Sequence, residues 1–172
     1  MDAVRNFLKE DFRWAMDKKR LLGPFLKDTK KIDALVQITN NLEEYPLKEY
    51  ASYALTHLQK GGIDLSSYRK KFIDTLFATN DQTVLRNVTN MLSHMELSPY
   101  KESELLDLLL SFVSDPKNKV ALHVYSIYIL SKFAKKYPDL EHEIRTIIMN
   151  NSKDKTPAYR IAIRNFERLI LS

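Results

Sequence analysis

The 172-residue chain has no cysteine, only three glycines and a single tryptophan. Without a thiol there is no disulfide, thiolate zinc site, iron–sulfur cluster or cysteine nucleophile. Glycine falls far below its usual share of about 7%, which excludes a Gly-rich phosphate loop and leaves few tight hairpin turns. No stretch approaches the roughly 18 uncharged apolar residues of a membrane span, and Met1 to Lys9 hold no apolar targeting segment. A cytoplasmic protein with no membrane contact is therefore expected. The chain also lacks a dinucleotide-binding glycine fingerprint, a P-loop lysine and a nucleophile elbow.

What is present is the composition of a folded domain, with 44% hydrophobic and 28% charged residues. At this length one domain spanning 1–172 is the expectation. The net charge of +5 is spread thinly along the chain. Neutralising about 6–10 phosphates takes a concentrated basic stripe. Nucleic acid is therefore a weakly supported partner, unless folding gathers Lys132, Lys135, Lys136, Arg160 and Arg164 on one side.

Apolar residues recur at spacings of three and four, with punctuation between segments. The pattern predicts helices near 2–20, 29–43, 46–60, 64–78, 81–96, 100–114, 117–136, 138–151 and 156–171, and no strand. Pro46, Pro116, Pro138 and Pro157 stand where a first helical turn tolerates a missing N–H. Asp64 and Asp81 are candidate N-caps, and Gly61-Gly62 a helix stop. Short loops make successive helices antiparallel.

Sliding the chain on itself by 37 residues aligns four helices, with Leu55, Leu92, Ile129 and Phe166 in one column. Flanking columns are Leu47, Val84, Ala121, Ala158; Ala51, Val88, Tyr125, Ala162; and Leu58, Met95, Lys132, Leu169. Lys132 is the only polar member, and the spacing i, i+4, i+8, i+11 keeps the set on one helical face. The preceding helices supply Val36, Ile73, Leu110 and Ile147 at the same offset. A hairpin this small cannot bury its apolar face alone, whereas neighbours laid side by side can. The first helix, with Val4, Phe7, Leu8, Phe12 and Ala15 on one face and Asp2, Lys9, Asp11 and Lys18 on the other, is expected to cover the end.

The segments Asp81-Gln82-Thr83-Val84-Leu85-Arg86 and Asp154-Lys155-Thr156-Pro157-Ala158-Tyr159-Arg160 carry a turn Asp followed about six residues on by Arg. In this respect the chain resembles the HEAT and armadillo-like α-solenoid family over residues 29–171. The resemblance implies an all-α fold, a right-handed α-α superhelix of about four antiparallel hairpins plus the N-terminal capping helix. It also implies an Asp–Arg ladder between repeats, from which the third repeat departs by placing His123 where Arg is expected. Second helices of that family line the concave surface. This makes Arg86, Asn90, His123, Ile127, Leu130, Arg160 and Arg164 the candidate partner-binding residues. Ile127 and Leu130 would form an apolar centre within a polar rim, the anatomy of a protein-binding patch. The helix around them is apolar almost all round, which implies cover on more than one side.

No arrangement of residues points to catalysis, a metal or a cofactor. His142-Glu143-Ile144-Arg145-Thr146 begins like a zinc-protease helix, but Thr146 stands where the second His must be. His57 and His94, one repeat apart, have no evident third ligand. Glu43-Glu44 and the pair Glu102, Glu104 read as solvated carboxylates at helix ends. The expected function is a non-enzymatic protein-interaction module. The alternative is a DNA-binding or DNA-repair protein resembling HEAT-like alkylpurine glycosylases, in which Arg86, His123, Arg160 and Arg164 would contact the backbone. The catalytic Asp and paired Trp of that family have no match here.

Overall fold

A computed structural model describes residues 1–13, 22–25, 28–41, 43–150 and 156–171, with Asp17 and Arg20. The described residues are helical, with no strand among them. After the first turn α1 (Asp2–Asn6), the helices are α2 (Thr29–Asn40), α3 (Leu47–Lys60), α4 (Arg69–Ala78), α5 (Gln82–Ser93), α6 (Glu102–Ser114), α7 (Val120–Lys136), α8 (Glu141–Asn150) and α9 (Pro157–Leu171). The chain divides into two compact units, Met1–Met91 and Leu92–Ser172.

In the first unit, α2 and α3 form a hairpin. Three features of α3 follow from its sequence. Pro46 precedes it directly, Leu47, Ala51, Leu55 and Leu58 all point inward, and a Gly-Gly pair stops it. Gly62 has φ +98°, a conformation that disfavours any side chain, and lets Ile63 N–H reach the Leu58 carbonyl at 3.1 Å. The next two helices join in parallel register. Tyr68 donates to Asp33 at 2.6 Å and Thr75 donates to Asn40, which aligns α2 with α4. Asn87 donates to Ser52 at 2.9 Å and Gln59 to the Met91 carbonyl at 3.1 Å, which aligns α3 with α5. Asp81 caps α5 as its spacing predicts, accepting from the Thr83 and Val84 amides. Asp64 instead accepts from Ser66 and starts a 3-10 turn, Ser66–Tyr68, so α4 begins only at Arg69.

The expected N-terminal cover is present in its described part. Beyond α1 the backbone widens into a π-helical segment, Phe7–Phe12, that packs on α3. Val4, Leu8 and Phe12 are buried and Phe7 half-buried, while Asp2, Lys9 and Asp11 face water. Phe12 meets Tyr53 edge-on with centroids 6.1 Å apart, and Phe7 lies 4.8 Å from Phe25. Trp14, Ala15 and Lys18 lie outside the described residues, as do Asp154 and Lys155 of the second HEAT-like segment.

The second unit repeats the scheme. Helix α7 packs against α6, α8 and α9, and α6 against α8. His123 and Tyr159 meet near the starts of α7 and α9, and Lys132 and Leu169 border one cleft near their ends, so these helices run parallel. The aligned column is buried throughout, Leu55, Leu92, Ile129 and Phe166 being 0–6% exposed. Each such side chain contributes about 1.5–3 kcal/mol when fully buried.

Candidate interaction surface

The seven candidate residues separate by exposure. Arg160 and Arg164 lie on the outer face of α9 and are exposed. Arg86 is half-buried, and its guanidinium donates to Asn87 Oδ1 at 3.1 and 3.2 Å. Asn90 is 7% exposed and His123 1%. Nε2 of His123 lies 3.0 Å from the Asp115 carbonyl, and a carbonyl only accepts, so Nε2 carries the hydrogen. His123 thus fastens the start of α7 to the preceding turn.

Ile127 and Leu130 are both completely buried, which overturns the expectation that they form an exposed apolar centre. Three packed neighbours leave little of the α7 circumference open. The all-round apolar pattern was a sign of enclosure, as its breadth implied. Asn90 and His123 are corrected with them, because neither side chain is open to a partner.

Pairs other than Asp with Arg link repeats among the described residues. Asp81 Oδ2 takes Lys48 Nζ at 3.5 Å, with both side chains largely covered. Lys132, the polar exception in its column, donates to the Ser93 carbonyl at 2.8 Å and the Met95 carbonyl at 2.6 Å. Its ammonium therefore sits at the carbonyl end of α5, where the helix dipole favours a cation. The apolar column conceals this role in the sequence, and only the 37-residue offset between Met95 and Lys132 hints at it.

Two carboxylates read as solvated also have definite partners. Glu44 accepts from Arg5 Nε at 2.8 Å and Nη2 at 2.6 Å, and from Asn41 at 2.8 Å. The Arg5 hydrogen bonds hold its carboxyl below the usual range. Glu102 takes Lys136 at 2.6 Å and Tyr137 at 3.1 Å, and this contact raises the Lys136 pKa. Burial pushes the phenols of Tyr68 and Tyr159 up to about 12, with the bond to Asp33 adding to the shift at Tyr68.

Described residues of the second unit line open clefts. One of about 320 Å³ is lined by Glu102, Ser103, Leu106, Phe133, Tyr137 and Leu140. Another, about 370 Å³, is lined by Glu96, Leu97, Lys132, Lys135, Lys136 and Leu169. The latter gathers the three lysines but not Arg160 or Arg164, and Lys132 and Lys136 already hold oxygen acceptors. Among the described residues no group of three His, Asp or Glu side chains could hold a metal ion.

One face of α9 is exposed to solvent. Arg160, Arg164 and Arg168 recur there every four residues, all exposed, and Ile161 beside them is 47% exposed. Arg168 escapes a reading confined to repeat-equivalent positions, although the i, i+4, i+8 spacing could have found it. A family model of the HEAT repeat domain matches residues 13–170. Neither the curated proteins nor the solved structures include a match to the chain.

Proposed function

Given that the chain belongs to the HEAT repeat family, we propose that it is a non-enzymatic interaction module. It would hold a protein partner through the open faces of its second helices, with Arg160 and Arg164 as contact residues and Arg86 contributing its half-exposed guanidinium. HEAT repeats commonly mediate protein interactions. No described helix is long and apolar enough to cross a membrane. The observation that carries the reading is the exposure of both Arg160 and Arg164 on a helix whose other face is sealed by Tyr159, Ala162 and Phe166. Exposed cationic side chains on a helix held by its buried face suit recognition, because a helical backbone loses little freedom on binding.

The test is affinity capture with the wild-type chain and with the double variant Arg160→Glu, Arg164→Glu, read by mass spectrometry. Loss of a specific protein from the variant's profile is expected. An unchanged profile would remove these two residues from the contact surface.

A further inference from the structure

The three arginines of α9 span an arc of about 80° and a rise of about 12 Å. Helix stability accounts for only part of the arrangement, since Arg168 stands in the last turn, where the helix dipole favours a cation. Like charges four residues apart repel, and Arg160 lies near the positive end of the helix dipole. Glu167, the only acidic residue of α9, is drawn toward Arg145 at 3.7 Å, and Arg145 also holds Glu141 at 2.8 Å. Ile161 and Leu171 border the arginine row and are 47% and 84% exposed. Both aromatic rings of the helix, Tyr159 and Phe166, are completely buried.

We propose that this face binds an acidic amphipathic helix of a partner protein. Carboxylates spaced four residues apart would meet Arg160, Arg164 and Arg168, and aliphatic side chains would cover Ile161 and Leu171. The inference rests on the reading of α9 as a contact face and names the partner's chemistry. Two helices share the same rise, so an i, i+4 row of carboxylates matches an i, i+4 row of guanidinium forks, each able to bind bidentately. A nucleic acid fits less well. With the rings of α9 buried, no stacking platform remains on this face. Three arginines fall short of the roughly 6–10 phosphate contacts of a strong electrostatic site, and phosphate gains nothing from aliphatic neighbours.

The test uses the full chain and a fluorescent synthetic 20-residue helical peptide with glutamates at i, i+4 beside a row of leucines. The comparison ligands are the same peptide with its leucines changed to serine, the same peptide with lysine for glutamate, and a 20-base-pair DNA duplex. Fluorescence anisotropy should show binding of the Glu/Leu peptide only. Arg164→Glu should weaken it at least tenfold, Ile161→Ser about threefold or more, and Arg164→Lys less than Arg164→Glu. Both sites are exposed, and circular dichroism is to check that each variant folds. Equal binding of the leucine-free peptide, tighter binding of DNA, or self-association abolished by Arg164→Glu would each overturn the proposal. If the peptide fails to bind while the double variant still loses a captured protein, the partner chemistry is wrong and the contact face stands. If both fail, both are wrong.

Discussion

The two units are built on one repeat but finish it differently. In the first, Leu47, Ala51, Leu55 and Leu58 of α3 are all within 6% of full burial, and polar pairs such as Asn87 with Ser52 and Asp81 with Lys48 close the spaces between helices. In the second, the corresponding Ala158 and Leu169 of α9 are exposed, Ala121 and Tyr125 of α7 are half-buried, and the outward face of the last helix is a row of arginines. The same apolar template thus makes a sealed region in one unit and a region with open chemistry in the other. The neighbours each helix acquires decide which, since Leu58 is buried while Leu169, the same residue in the same column, is exposed.

The sharpest way to break the comparison is to cut into the cores. Phe166→Ala should cost about 3–5 kcal/mol and Leu55→Ala about 2–5 kcal/mol by chemical denaturation. Similar losses would confirm equally close packing at both column positions, and a loss below about 1 kcal/mol at Phe166 would show that α9 is loosely held. A smaller effect separates the two styles of closure. Lys132→Met restores the apolar pattern of the column but removes the ammonium from the Ser93 and Met95 carbonyls, and should destabilise by about 1–3 kcal/mol. A neutral or stabilising result would show that the column prefers an apolar residue after all.

The smallest effects are in the response to pH, where the ends of the chain differ in sign. The carboxyl of Glu44 is held low by Arg5. Its contribution is present above the unfolded carboxylate value and fades as acid protonates it, so Glu44→Gln should flatten the stability curve below about pH 5. Tyr159 is raised to about 12 by burial, and its hydroxyl donates to the Ile148 carbonyl at 3.1 Å. That contribution is complete below the ordinary phenol value near 10 and disappears as pH rises toward about 12. Tyr159→Phe should reduce the late phase of an absorbance titration of tyrosine ionisation, leaving the part that belongs to Tyr68.

The repeat was legible because Leu55, Leu92, Ile129 and Phe166 are chemically alike and equally spaced. The cap at Asp81 and the stop at Gly61-Gly62 were legible because each acts within a few residues of its own position. The candidate face was only partly legible. Arg160 and Arg164 stand out as charged residues opposite an apolar stripe, a contrast the sequence carries. Ile127 and Leu130 were misplaced because an apolar residue opposite the core column reads the same whether a partner or the chain itself covers it. The pairing of Lys48 with Asp81 and the roles of Glu44 and Glu102 were not visible, since each partner lies more than 30 residues away.

The amino-acid order alone determined that this chain is helical, repeats every 37 residues and belongs among HEAT-like proteins, because periodicity and capping are local properties. Tertiary structure decided which polar side chains join repeats and which stay in solvent. Burial and long-range hydrogen bonds depend on which neighbours a helix acquires, and the order of residues within one helix does not specify them.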